Sequence, residues 1–508
     1  MQSVVPPGVS RRGFLVGGAA AAATLAAGCG SGSGDVDTFT AAFQGSGASE
    51  SIDPGVGSLF IDEARYKALY DGLFEVDGAM RAIPRLATAA EPNADGTRWR
   101  ITVRDAQWHD GKKLTSRDVL YTLGRILGPP QEQPFIAAAT LDQVDLSQSR
   151  VVDDSTAEIV LRSPNFEVPL ALAAYGAKIV QDGATDMSHP VGTGPFVFES
   201  FEAGKELSAT VNDRYWDGAP TVRRLRIVSA EADARLSAVQ SGQVDFADNI
   251  TPSAVRTLRG RHGISLDSAP NSGIYFFAMK TDRPPFDNPD VRRAVMRMVD
   301  RDELVKVALA GEGQIANDVF GKGYQYYADF PQHEYDPDEV GRLLRRAGVR
   351  DLSFDLFTAP VDFGFVEAAR LFADQAARCG VRVNVVVGSK DSYYSDALKS
   401  GALTMGQSGP LAIPNHFASR LLTGSPQNRT KWSDPEFDRL FARAQATSAE
   451  EGRTAIYRTM HEILYDRGGF VFFGDANWNT AARDDFGNAP TGAPNSHGWA
   501  RFDRVTAQ

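Results

Sequence analysis

Cysteine is almost missing from this chain: its 508 residues hold two, Cys29 and Cys379. With Cys29 consumed in export processing, as its surroundings imply below, no intramolecular disulfide can form, although an exported protein would permit one. Histidine is scarce too. The seven histidines are scattered, and no cysteine–histidine cluster has metal-site spacing. The nearest approach to a zinc-hydrolase helix is His461-Glu462, where Tyr465 stands in place of the second ligand. A nucleophile elbow is also lacking, so the main rival reading, an exported hydrolase, is without its usual motifs. Positive charge is in deficit. The formal net charge of −11 argues against nucleic acid and against electrostatic adhesion to anionic lipid. Past the N-terminal segment, no apolar run approaches the roughly 20 residues of a membrane-spanning helix. No metal or cofactor is implied.

What is present begins at the N-terminus. Ser10-Arg11-Arg12-Gly13-Phe14-Leu15 reads as a twin-arginine export motif, and an alanine-rich stretch from Leu15 ends in Leu25-Ala26-Ala27-Gly28-Cys29. A basic start, a short apolar run and small residues before a processing point describe a signal peptide, here residues 1–28. The segment resembles a bacterial lipobox with one departure: Leu25 lies four residues before Cys29, and Ala26 stands three before it. Cys29 is thus the expected lipidation site, followed by a flexible Gly/Ser tether through residue 36. Several acyl chains anchor stably where one does not. Removing residues 1–28 deletes two arginines and no acids, which moves the charge from −11 to −13. The mature length, 508 less 28 residues, is too great for one core, so two lobes are expected. Cys379, before Gly380 in an apolar-periodic helix, is expected to be a buried packing thiol.

Helical and strand-like runs alternate along the mature chain, pointing to α/β lobes. Thr115-Ser116-Arg117-Asp118 opens a helix as a capping box, with Val119, Leu120, Leu123, Ile126 and Leu127 on its apolar face. Asn288-Pro289, Asp336-Pro337 and Asp434-Pro435 start three more by the cap-then-proline rule. Strand-like runs are Trp99–Val103, Leu225–Val228, Ile274–Met279, Val381–Val387 and Phe470–Phe473. Ile274-Tyr275-Phe276-Phe277 is apolar throughout, as a strand buried on both faces would be.

Seven blocks of the sequence, taken in order, resemble the bacterial extracellular solute-binding proteins of family 5, which serve peptide and nickel ABC importers. They are Leu69-Tyr70-Asp71-Gly72-Leu73 with Pro84-Arg85-Leu86-Ala87; Trp108-His109-Asp110-Gly111-Lys112 with Thr115 and Asp118; Gly192-Thr193-Gly194-Pro195-Phe196; Tyr215-Trp216; Gly242-Gln243-Val244-Asp245; Val291-Arg292-Arg293-Ala294 with Asp300-Arg301; and Tyr335-Asp336-Pro337 with Ala347-Gly348. The resemblance implies a type II periplasmic-binding-protein fold: two α/β lobes and an extra subdomain, with crossing strands between lobes that close about a hinge. Lobe I would take residues 37–270 and 478–508, and lobe II 271–477. It also implies a monomeric, non-enzymatic receptor that delivers solute to a membrane permease and its ATPase. Most of the blocks read as scaffold: Asp110-Gly111 a turn, Thr115 and Asp118 a cap, Trp108 core.

In peptide-binding members of the family, a buried aspartate in a Trp-x-x-Asp-Tyr-x-x-Pro stretch receives the peptide ammonium. Here that stretch resembles Gln407 to Pro414, which puts Pro410 where the aspartate belongs. Asp391 and Asp475 are the acids expected to replace it if an ordinary peptide binds. Otherwise Gln407, Ser408, Asn415 and His416 suit an oligosaccharide or another neutral solute. One histidine falls short of direct nickel coordination. Phe43-Gln44-Gly45 at the end of the first strand, Tyr275 and Phe277 near the crossing, Tyr393 and Tyr394, and Asn477-Trp478 at the return crossing complete the expected ligand contacts.

Overall fold

The computed structural model of the chain describes residues 37–507 apart from 58, 129–134, 391, 394–400 and 426. The expected signal peptide, Cys29, the tether, Asp391 and Tyr394 lie outside the described residues.

A mixed sheet of eleven strands organises the protein. In chain order these are β1 (Thr38–Phe43), β2 (Phe196–Glu202), β3 (Glu206–Val211), β4 (Arg224–Ser229), β5 (Phe246–Ala247), β6 (Ile264–Met279), β7 (Gly313–Ile315), β8 (Ser353–Thr358), β9 (Arg382–Val387), β10 (Leu403–Ser408) and β11 (Phe470–Arg483). The spatial order is β9-β8-β10-β6-β11-β5-β1-β4-β3-β2, with β7 on β11. Each strand-like run of the sequence falls within or overlaps an observed strand, but β6 and β11 run far beyond the expected segments. The antiparallel pair they form runs from Ile264 to Ala278 on β6 against Arg483 to Phe470 on β11.

Directions along this sheet follow from its pairings. β1, β4 and β5 are mutually parallel, and β5 lies antiparallel to the far end of β11 at Ala481 and Ala482. β8, β9 and β10 are likewise parallel, and β10 lies antiparallel to the far end of β6, Ile274 to Met279. Both parallel groups therefore aim their carboxyl ends at the middle of the β6–β11 pair, where the register breaks between Ala269 and Gly273.

The run Ile274 to Phe277 is buried on both faces as expected. Tyr275 and Phe277 enter one core with Phe372 and Phe473, and Ile274 and Phe276 enter another with Phe320, Phe417 and Phe472. A separate four-stranded antiparallel sheet packs Trp99, Ile101 and Trp108 against Val119 and Leu123. The helices start where their caps expect. Thr115 N–H donates to Asp118 Oδ2 at 2.7 Å, and Asn288, Asp336 and Asp434 accept backbone N–H groups at 2.9, 2.9 and 3.0 Å. Cys379 departs from expectation: it caps the helix Phe365–Arg378 half-buried, its Sγ 3.7 Å from the Tyr335 hydroxyl.

Several of the sequence blocks meet at one buried carboxylate. Asp71, 4% exposed, accepts from Thr193 Oγ1 at 3.0 Å, Tyr215 Oη at 3.0 Å and Trp216 Nε1 at 2.9 Å. Arg85 lies 3.7 Å away and its guanidinium covers the Trp216 ring. A buried charge is tolerable only when paired and hydrogen-bonded, which is why these side chains occur together. Gly192 and Gly194 belong to the same knot: a Cβ on either would meet the Leu69 backbone at 1.7 or 2.5 Å.

Candidate binding cleft

Residues just past the carboxyl ends of a parallel sheet are where open α/β folds place ligands, and here two such sets of ends converge. The cleft between them has a volume of about 260 Å³, slightly below the roughly 300 Å³ at which small-molecule pockets usually begin. Gln44 after β1, Glu231 and Arg235 after β4, and Asn249 after β5 line one wall. Asp362 after β8, Lys390 after β9 and Gln407 of β10 line the other, with Tyr275, Asn477 and Trp478 of the crossing strands between them.

Each wall is fixed by its own hydrogen bonds. Arg235, 1% exposed, sits in the helix Ala232–Ser241 and donates to the carbonyls of Ala230 at 2.7 Å and Asn249 at 3.1 Å. Trp478 donates its indole N–H to Asp248 Oδ1 at 2.9 Å, and Trp499 donates to the same oxygen at 3.1 Å. Burial pushes the Asp248 carboxyl up to about 6, while the two indole bonds oppose that shift. The edge of Phe60 meets Trp478 at 4.7 Å between ring centres. Opposite, Asp362 accepts from the Phe363 backbone N–H at 2.7 Å, and burial pushes its carboxyl up to about 6.

Five of the sequence-derived candidates line this cleft: Gln44, Tyr275, Gln407, Asn477 and Trp478. The others do not. Phe43 is core, packed on Trp499 and Phe502. Gly45 makes a close approach, since a Cβ there would lie 2.3 Å from Glu50. Phe277 is fully buried on Phe372 and Phe473. Tyr393 is buried with its hydroxyl on the Phe357 carbonyl at 3.0 Å. Ser408 bonds the Arg420 guanidinium, and Asn415 donates to the Leu170 carbonyl at 3.2 Å. His416 stacks on Phe320 at 3.9 Å, and burial holds it well below the usual imidazole range, so it is neutral.

Neither residue proposed to replace the missing carboxylate of Pro410 is placed in the cleft. Asp391 is outside the described residues, and Asp475 is buried on β11 beyond the lining. Of the charged groups that do line it, Glu231, Arg235, Glu312, Asp362 and Lys390, none was singled out from the sequence. The alternating run Ser353 to Thr358 followed by Ala359-Pro360 was the available signal for Asp362, because it marks a strand end that opens into a loop. Among the described residues, no group of three or more histidine, cysteine or acidic side chains is arranged to hold a metal ion. No helix among them is long and apolar enough to cross a membrane.

Comparison with known proteins places this geometry. The chain is 24% identical over 476 residues to the dipeptide-binding protein of Escherichia coli (strain K12), covering 85% of this chain and 88% of that one. Among solved structures, the periplasmic binding protein DppA of Helicobacter pylori, in complex with the peptide STSA, superimposes with a TM-score of 0.80 at 19% identity, covering 92% and 98% of the two chains. NikZ of Campylobacter jejuni, in complex with Ni(L-His), does so with a TM-score of 0.79 at 19% identity, covering 92% and 99%. Both neighbours share the fold. The model of the bacterial extracellular solute-binding proteins, family 5, matches residues 81–429, well over half of the chain. The chain belongs to that family.

Proposed function

We propose that this protein is the lipid-anchored receptor of an ABC importer, exported through the twin-arginine route and held at the outer face of the cytoplasmic membrane by Cys29. It captures a small peptide-like solute between two lobes and hands it to a permease without altering covalent bonds. The observation that carries this reading is the convergence of two sets of parallel strand ends on one cleft lined by amides, aromatic rings and opposite charges. A pocket of about 260 Å³ suits a solute of a few residues. The register break at Ala269 to Gly273, opposite Ala476 to Trp478, supports the division into 37–270 plus 478–508 and 271–477, since a hinge needs a weak point in the crossing ladder.

A thermal-shift screen of the mature chain against di- and tripeptides, oligosaccharides and nickel–histidine tests the ligand class. A solute at a hundred times its Kd stabilises by about 2.7 kcal/mol. At about 2.1 cal/mol/K of unfolding entropy per residue, that raises the melting temperature by about 3 °C. Peptides are expected to give the shift. Silence for every peptide together with a shift for a sugar or the nickel complex overturns the reading.

A further inference from the structure

We propose that a groove between the helices Pro289–Arg297 and Pro337–Arg346 binds a dianionic phosphate group. The inference goes beyond the receptor reading, because the groove shares no lining residue with the cleft. Its volume is about 450 Å³, larger than that of the cleft, and of its nine lining residues only Leu343 lacks a polar side-chain atom. Four of the nine are arginines, in a chain whose formal net charge is −11. Helical spacing gathers them. Arg293 and Arg297 stand four residues apart on one helix, and Arg342 and Arg346 four apart on the other; residues at that interval share a face. The last turn of the helix Glu450–Arg467 closes the groove with Tyr465 and Asp466.

The carboxylates nearby do not use up these guanidinium groups. Arg293 is fully engaged: it donates to Asp466 Oδ1 at 3.0 Å, to Asp466 Oδ2 at 2.7 Å and to Asp290 Oδ1 at 2.7 Å. Arg342 donates to Glu339, and Arg346 to Asp290, each through Nε and Nη2 only. Among the described residues, Nη1 of both is left without a partner. Arg297 makes no side-chain hydrogen bond at all and has no ion pair within 4.0 Å. Three guanidinium groups with unspent N–H donors thus line one groove. A guanidinium fork matches the spacing of phosphate oxygens, and a tetrahedral dianion carries acceptors enough for all three. A single carboxylate does not suit the groove, because Glu339, Asp466 and Asp290 already supply that chemistry and repel a further copy of it. Exposed charges are screened beyond about 10 Å at 0.1 M salt, so direct hydrogen bonds carry the selectivity.

Calorimetric titration of the mature wild-type chain with inorganic phosphate, glycerol phosphate and acetate tests the site, at matched ionic strength and about pH 8, above the second phosphate pKa of about 6. The two phosphates are expected to bind and acetate to give no binding heat. Arg297→Gln is expected to weaken both phosphates about 10-fold, the size of one lost charged hydrogen bond. Its melting temperature should stay within about 1 °C of the wild type, because the change strands no partner. Arg342→Gln, on the facing helix, is expected to weaken them likewise and serves if the first variant fails to fold. Vesicles of phosphatidylcholine with and without phosphatidic acid distinguish the source. Retention on phosphatidic acid that is lost in Arg297→Gln assigns the phosphate to a lipid headgroup; binding of the soluble phosphates alone assigns it to a free solute. Silence of the phosphates and of both vesicles overturns the proposal. So does acetate binding as tightly as phosphate in the wild type, or phosphate binding unchanged in both variants, which places the anion elsewhere. The receptor reading stands in each of these cases, since its own test is a solute in the cleft.

Discussion

Replacing Asp475 by asparagine should stabilise this protein, and increasingly so as pH rises. Asp475 lies on β11 opposite Ile274 of β6 and Gln314 of β7 and is 5% exposed. Among the described residues no cation comes within 4.0 Å of its carboxylate. Burial pushes its pKa up to about 7, and only Lys322 works against that. A carboxyl group whose folded pKa lies above its ordinary value of 3.8 binds its proton more tightly in the folded state. Stability is therefore lost as pH climbs from the unfolded to the folded pKa, and the loss is complete above about 7. At about 1.36 kcal/mol per unit, the window from pH 5 to the folded pKa accounts for about 3 kcal/mol. The unfolding entropy used above, summed over a mature chain of this length, is about 1 kcal/mol/K. The melting temperature of Asp475→Asn should then gain about 3 °C on the wild type between pH 5 and pH 8. Parallel melts at pH 5, 6, 7 and 8 measure it. A difference that stays constant with pH, or that shrinks, would refute the account, because the carboxylate would then have solvent or a partner in the folded state.

The opposite behaviour is expected at Asp318, which is 1% exposed but paired: Arg301 lies at 2.5 Å, His333 at 2.7 Å, and the Phe472 backbone N–H at 2.9 Å. Asp318→Asn strands the buried guanidinium at a cost of about 3–5 kcal/mol, lowering the melting temperature by about 3–5 °C; a drop under 1 °C would show that Arg301 is paid for elsewhere. Cys29→Ala should release the exported protein from the membrane fraction, read by fractionation and by the intact mass of the wild-type N-terminal peptide. An unlipidated wild type, or a variant still retained at the membrane, rejects the anchor.

Sequence spacing made the scaffold legible because the scaffold is local. A cap three residues from its partner, as at Thr115 and Asp118, or a proline after Asn288, is a statement about one turn of chain. The apolar run Ile274 to Phe277 likewise announces a strand buried on both faces. The cleft is not local. Its walls come from segments between Gln44 and Asn479 that meet only because β6 and β11 hold two parallel groups end to end. Candidates chosen beside recognisable strand ends, such as Gln44 and Asn477, reached the lining. Nearness in sequence was not enough elsewhere: Phe43 and Gly45 flank Gln44 without lining the cleft, His416 is turned by its helix onto Phe320, and Phe277 shares a strand face with Tyr275 two residues deeper into the core.

The blocks that reveal the family and the residues that line the cleft are nearly disjoint sets, and the hydrogen bonds explain why. Leu69 to Leu73, Arg85, Thr193 and Tyr215-Trp216 meet at Asp71, where each satisfies a demand made by another. Losing Arg85, Thr193, Tyr215 or Trp216 leaves the buried Asp71 carboxylate short of a partner. Asp362, Lys390 and Gln407 make no such closed circuit. They stand where β8, β9 and β10 end, at the wall of the cleft. The family pattern is therefore carried by the scaffold, and the side chains that line the cleft stand on segments outside it.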